Sequence, residues 1–401
     1  MIKKIARVFI VFFALFLCEY RISALATSTE SSVIHVPSQY LTIQGAINAA
    51  NAGDAIIVSA GVYGEHVVVN KSISLIGENR EFTIVDGNGT DNVFSVVADD
   101  VYIGNFTVRN GLRGILINGK NCTVSNNIVT GNQGDSGIYQ SGMGVLMNYS
   151  SFNLVCGNTI TDNGGFIPGL AWGCGIGCFH SSQNFVARNV VYDNEAFGVA
   201  IGGDCNIVEG NNATGNGADG MRVGGDNNSI IGNFMIANKG FGAQVLGSHN
   251  NILKGNYVSK NGNLDIWGQP SEGGIDLGWS DGSVIEDNFV CDNPLWGIAM
   301  RDLNPRNIIR GNTVLNNSVG IYFHYSNDST VYHNNFINNS RNASVGDAYA
   351  DIEAWDNSAE GNYWSNFTGA DANLDGIIDT PYVLGIRNQD NCPLAEPWSK
   401  T

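Results

Sequence analysis

Charge is scarce in this sequence and falls mainly on one side. Of 401 residues, 14% are charged, and 37 Asp and Glu outweigh 20 Lys and Arg for a net charge of −17 at pH 7. No basic stretch emerges, which argues against nucleic acid and anionic lipid as partners. Proline occurs only 8 times, against 51 glycines. Little Lys and Glu beside much Gly, Asn, Val and Ile argues against a helical protein and for short strands joined by tight turns. Long apolar runs are missing too, apart from VFIVFFALFLC at residues 8–18. Lys3, Lys4 and Arg7 precede that run and Ala24-Leu25-Ala26 follows it, the order of an export signal over residues 1–26. The run is short for a membrane span; cleavage and retention as an anchor both fit. The mature protein is expected to be secreted, periplasmic or on the cell surface, with no span after cleavage. Cleavage leaves seven cysteines and no CxxC spacing, which suggests neither a zinc site nor a complete disulfide framework.

What the sequence has in abundance is a repeat. Aligning on N-x-h-x-x-N, with h apolar, places first asparagines at 105, 127, 158, 189, 211, 233, 256, 288, 312, 334 and 362. The base period is near 22 residues, with occasional insertions of about nine. A second register, G-h-x-h, begins at Gly114, Gly144, Gly175, Gly198, Gly220, Gly242, Gly274, Gly297 and Gly320. The residues one and three after each glycine are nearly all apolar, the period-two signature of a strand with one buried face. A third strand precedes each repeat asparagine, as in NIVEGN and NSIIGN. Three short strands per coil describe a parallel β-helix whose coils stack at roughly 4.8 Å. The asparagines are expected at corners, where they tolerate left-handed backbone and hydrogen-bond to their equivalents above and below.

Ahead of the coils, residues 42–51 read as a short amphipathic helix with Ile43, Ala46, Ile47 and Ala50 on one face, capping the open end. Strands are expected at residues 55–58, 66–69 and 73–76. The chain therefore divides into a signal (1–26), an N-terminal cap with the first coils (27–110), the repeats (111–345) and a C-terminal cap (346–401). The stretch TIQGAINAANAGDAIIVSAGVYGEHVVVNKSISLIGEN, the repeats and GNYWSNFTGADANLDGIIDTPY together resemble the NosD-like proteins over nearly the whole mature chain. The resemblance implies an exported right-handed β-helix of the carbohydrate-binding and sugar-hydrolysis repeat group. Members of that family include a maturation factor for a copper enzyme and archaeal surface proteins.

If positions +1 and +3 after each glycine face inward, +2 and +4 face solvent. The middle coils then expose Arg222, Gln244 and Asp276 at +2, with Arg301, Tyr322 and His324 further along the same face. The insertions all lengthen the corner just before this strand, at residues 133–143, 164–174 and 262–273. Two walls thus flank a floor of three coils, roughly 14 Å long. One wall carries Phe166 and Trp172, the other Asp265, Trp267 and Glu272. Aromatic faces beside carboxylates and an arginine suit carbohydrate. Arg222 reads either as the centre of this groove or as a surface arginine paired with Asp276 or Asp219. For glycoside hydrolysis, Asp276 with Asp265 or Glu272 is the candidate carboxyl pair; a polysaccharide lyase would instead use Arg222 against a sugar carboxylate. A binding groove without catalysis fits equally well. The exposed aromatics Phe234, Tyr257 and Phe289 on another face would serve a surface structural or adhesive protein with an assembly partner.

Asp371-Ala372-Asn373-Leu374-Asp375-Gly376-Ile377-Ile378-Asp379 matches the first part of a calcium loop, with side-chain oxygens at positions 1, 3, 5 and 9 and the Ile377 carbonyl at 7. Position 12 is Tyr382 rather than glutamate, so calcium here is expected to pin the C-terminal cap. Copper, implied by one branch of the resemblance, would need gathered soft or imidazole ligands; Cys178, His180 and His324 are the candidates and the six histidines are scattered. Gly278-Trp279-Ser280-Asp281-Gly282 matches G-x-S-x-G, which works as a nucleophile elbow only on a strand-to-helix turn; a β-helix corner is not one.

Overall fold

The computed structural model describes residues 31–134, 142–165, 173–263, 271–302, 304–345, 353–385 and 387–400. The export signal, Phe166, Trp172, Asp265 and Trp267 lie outside the described residues. Within them the chain winds through three long parallel sheets of 13, 12 and 13 strands, visiting each once per coil. Sheet 1 runs from Val33–Val36 to Thr330–Tyr332, sheet 2 from Val67–Val69 to Arg341–Val345, and sheet 3 from Gly61–Gly64 to Tyr363–Trp364. The G-h-x-h segments are the strands of sheet 2, paired in register from Ile115 through Val145, Ile176, Val199 and Met221 onward. Their +1 and +3 side chains are buried, forming one continuous apolar column with the inward residues of the other sheets. Each such side chain contributes about 1.5–3 kcal/mol by leaving water.

The glycine register has a steric cause. A Cβ on Gly220 would lie 2.7 Å from the Asn238 amide nitrogen and 2.8 Å from the Gly242 carbonyl oxygen of the next coil. Backbone and asparagine ladder close on that point from two sides, and only glycine fits.

The asparagines do form ladders, but the left-handed backbone belongs to their neighbours. Asn211 donates its backbone N–H and its side-chain amide to Asn233 Oδ1 at 2.8 and 3.1 Å, and Asn233 repeats both bonds to Asn256 at 2.9 and 3.1 Å. The residues with positive φ are those just before, such as Asn126, Arg188, Gly210 and Gly232. Asn105 is one of these, at φ 65: Ser125 pairs with Gly104, so Phe106 occupies the ladder position in that coil and the ladder begins at Asn127. A second ladder runs through Asn132, Asn163, Asn194, Asn216 and Asn238.

The capping helix spans Ile43–Ala49, with Ile43, Ala46 and Ile47 buried against the first coils. Thr42 Oγ1 accepts from Gly45 N at 3.0 Å, and the Glu65 carboxylate takes the Ile43 and Gln44 amides, so the orphan donors of the first turn are satisfied. Sheet 1 begins one strand earlier than expected, at Val33–Val36, and Gly61–Gly64 adds a strand of sheet 3. At the far end Trp355 and Trp364 are fully buried, and Trp364 stacks on Phe336 at 4.6 Å. Their indole N–H groups donate to Asn388 and Asp390.

Candidate functional site

Sheet 2 aligns Ala200, Arg222, Gln244, Asp276, Ala299 and Tyr322 as one outward column. Alternation predicts that this column faces solvent. Most of it does not. Leu146, Ala200, Gln244, Asp276 and Ala299 are buried, and Asp276 has no exposed surface at all. For Leu146 and Ala200 the cause is a second packed layer outside the sheet, where they form an apolar cluster with Met143 and Cys174, backed by Leu116, Phe179 and Phe197.

Asp276 lies under an arginine. Arg301 Nε and Nη2 donate to its two carboxylate oxygens at 2.7 and 2.8 Å, and Gln244 Nε2 adds a bond at 2.9 Å. Both oxygens are therefore engaged, and the Asp276 hydrogen bond raises the Arg301 pKa further. The guanidinium sits over the Phe241 and Trp296 rings at 5.2 and 5.1 Å. Trp296 in turn stacks on Tyr322 at 5.1 Å, and Tyr322 on His324 at 6.0 Å. Of the residues expected in the groove, the structure thus joins Gln244, Asp276 and Arg301 in one network and Tyr322 and His324 in one aromatic ladder.

Arg222 takes the other of its two possible partners. Its Nη1 lies 3.6 Å from Asp219 Oδ2, and its guanidinium is 4.9 Å above the Phe197 ring. The Arg222 side chain is 40% exposed and that of Asp219 only 6%. Asp219 Oδ1 accepts from the Phe241 amide at 2.9 Å, whereas Oδ2 is buried without a hydrogen-bond partner among the described residues. Burial pushes the Asp219 carboxyl up to about 7; Arg222 and the Phe241 amide oppose this, and the Glu272 and Asp276 charges add to it. Glu272, half-buried, is also raised, first by burial and then by Asp276, against the pull of Arg301 and Arg222. Three carboxyl groups and two guanidiniums therefore share one field, with one carboxyl poised to carry a proton near neutral pH.

Phe197, Phe241 and Trp296, which sequence reasoning passes over, share one position with Asp219, which it offers only as a partner of Arg222. Phe197, Asp219, Phe241 and Trp296 each stand immediately before the glycine of a G-h-x-h strand. Reading that position coil by coil would have shown an aromatic and acidic column beside Arg222.

The other candidate motifs also resolve. Ser280 is buried, its Oγ donating to the Gly278 and Val245 carbonyls. Cys178 is buried in the core with its thiol pushed up to about 12 by burial, while His180 stacks on Tyr149 at 4.6 Å. Phe234, Tyr257 and Phe289 form a ladder on sheet 3, with Tyr257 and Phe289 stacked at 5.6 Å. In the acidic loop, Asp371 accepts from the Asp375 and Gly376 amides, Asp375 from Ile377, and Asp379 from Ala372. Gly376 has φ +89, and Tyr382 stacks on Trp364. Among the described residues, no three His, Cys, Asp or Glu converge as a metal site.

The family model for the right handed beta helix region matches residues 78–234, 174–336 and 268–374, which together take in most of the sequence. The chain belongs to the right-handed β-helix family. Over 110 residues this β-helix is 30% identical to a cell surface glycoprotein of Methanothermus fervidus, an alignment covering 27% of the chain and 18% of that relative. Among solved structures, it resembles the A-module of a mannuronan C-5 epimerase of Azotobacter vinelandii, with TM-score 0.59 and 16% identity over 78% of this chain and 92% of that one. It also resembles the catalytic unit of a GH87 alpha-1,3-glucanase of Streptomyces thermodiastaticus, with TM-score 0.65 and 14% identity over 87% and 71% of the two chains. At these identities the likeness establishes the β-helix fold alone.

Proposed function

We propose that this β-helix binds an extracellular polysaccharide on the outer face of sheet 2, across Arg222 and Asp219. The observation that carries the reading is the Asp219 carboxyl oxygen, buried, without a hydrogen-bond partner among the described residues, and 3.6 Å from a half-exposed arginine. Arg222, 40% exposed, is the side chain that would turn aside to admit a sugar hydroxyl, which would donate to that oxygen and accept from the guanidinium. The exposed arginine is backed by Phe197, and Arg301 with Asp276 forms the rigid floor beside it. The solved relatives act on polysaccharides by their names, and the aligned relative is a cell surface glycoprotein; both are consistent with a glycan outside the cell. Retention of the mature chain on a panel of immobilised neutral and acidic polysaccharides tests the reading. At least one polymer should retain it, with retention falling about tenfold in Arg222→Gln; equal retention of the variant would refute the site. Reducing-end release that disappears in Asp219→Asn would make the same site a glycoside hydrolase.

A second reading, a surface structural or adhesive protein, is favoured by the sheet 3 ladder, where Phe234 is 49% and Phe289 37% exposed. Tyr257 and Phe289 lie with planes 6° apart and Phe234 is tilted 39° from Tyr257, so the three make an apolar strip across adjacent coils that suits a protein contact. Assembly lost in Tyr257→Asp and kept in Arg222→Gln would select it. We further propose calcium in the acidic loop, because its oxygen donors Asp371, Asn373, Asp375 and Asp379 are the hard set that this ion takes.

A further inference from the structure

A cavity of about 370 Å³ lies away from sheet 2, between the outer face of sheet 1 and the chain end that returns over it. Its floor is built from two carboxylates. Glu286 receives Lys254 Nζ at 2.5 Å and Arg310 Nε at 2.9 Å. Asp287 receives Lys400 Nζ at 2.7 Å, from 113 residues further along the chain. The returning segment is held by Asn335, whose side chain pairs with both the backbone N–H and carbonyl of Trp398. The Trp398 ring stacks on His333 at 5.1 Å and forms one wall.

The layering of charge is the informative feature. Glu286 and Asp287 are only 14% and 25% exposed, while Lys254, Arg310 and Lys400 are 42%, 36% and 67% exposed. The acids are the more buried partners, and the cationic side chains bonded to them are the more exposed. Three cations and two acids line the space directly, with the Glu360 carboxylate behind them on His333 at 2.6 Å, within a chain of net charge −17. Arg310 Nη1 is braced by Tyr332 Oη at 3.1 Å, so the guanidinium is fixed rather than swinging free.

We infer that this cavity is a second ligand site, for a sugar acid. The carboxylate of the ligand faces Arg310 and Lys400, where charge-assisted bonds are strongest. Its ring lies against Trp398, whose indole offers an apolar surface with a polar neighbour in Tyr332. The volume admits one or two sugar rings. No bond is made or broken, and the site stands independently of the groove on sheet 2.

Titration calorimetry of the full mature chain with glucuronate, glucose and acetate tests it. Glucuronate should bind, with affinity falling about threefold in Lys400→Gln and further as salt rises from low to physiological. Glucose and acetate should each bind at least about tenfold more weakly, because each supplies only half of the recognition. Arg222→Gln should leave glucuronate binding unchanged, which separates this site from the groove. Trp398→Phe, which keeps a ring over Gly311, should retain weakened binding, whereas Trp398→Ala should abolish it. No glucuronate binding, equal binding of glucose or acetate, or indifference to Lys400→Gln would overturn the assignment.

Discussion

Replacing one rung of the asparagine ladder tests the physical account of the repeat. Asn233 accepts the Asn211 backbone N–H and side-chain amide on its Oδ1, donates its own amide to Val208 O at 2.9 Å and to Asn256 Oδ1 at 3.1 Å, and is fully buried. Leucine has the same branching and heavy-atom count, with bulkier methyl ends, but none of these bonds. In Asn233→Leu the Asn211 backbone N–H loses its acceptor inside the core, at about 1–3 kcal/mol, and the lost side-chain bonds add about 1 kcal/mol. The sum, roughly 3 kcal/mol, falls on one coil, because each coil contacts only its neighbours. Hydrogen exchange read on a peptide spanning residues 207–214 should therefore lose about a hundredfold in protection, while coils near residue 100 stay unchanged. The exposed control Phe234→Ser should change protection less than threefold. Protection of the 207–214 peptide within threefold of the parent in Asn233→Leu would refute the ladder's energetic role.

Three further outcomes follow from the site and the caps. Asp219 is raised from the carboxylate value of 3.8 to about 7 on folding, so it binds more protons folded than unfolded and stability falls as pH rises from 4 to 7. Urea unfolding at pH 4 and pH 8 should show Asp219→Asn losing about 2–4 kcal/mol less than the parent across that interval; parallel losses would contradict the shift. Arg301→Leu strands the buried Asp276 carboxylate and should cost about 3–5 kcal/mol, whereas Arg222→Gln, at a half-exposed pair, should cost under about 1 kcal/mol; chemical denaturation orders the two. Millimolar calcium should raise the melting temperature of the C-terminal cap, read by the fluorescence of buried Trp355 and Trp364, and Asp375→Asn should remove the rise; equal melting with and without calcium would exclude the loop.

The fold was legible because the repeat carries two independent periods. Spacing of about 22 residues marks the coil, and alternation around Gly198, Gly220 and Gly242 marks which side of sheet 2 meets the core. Both are consequences of backbone geometry alone. The site was legible only in part, for a physical reason. Alternation says which side chains point out of a sheet but not whether something lies on them, so Asp276 was read as exposed although Arg301 and Gln244 cover it. The decisive Asp219 stands where the corner enters the strand, one residue before Gly220 and outside the alternating run. Its role surfaces only when neighbouring coils put Phe241 and Arg222 on either side. The one-residue offset at Asn105 has a similar origin. NFTVRN satisfies the asparagine pattern, but the strand register of Gly104 with Ser125 places Phe106 on the ladder.

The central claim, a polysaccharide held across Asp219 and Arg222, is tested most directly by a crystal structure with an oligosaccharide from whichever polymer retains the protein. The account predicts a sugar hydroxyl within hydrogen-bond distance of Asp219 Oδ2 and of the Arg222 guanidinium. An oligosaccharide seated on the Phe234–Tyr257–Phe289 face, with Asp219 and Arg222 untouched, would contradict it.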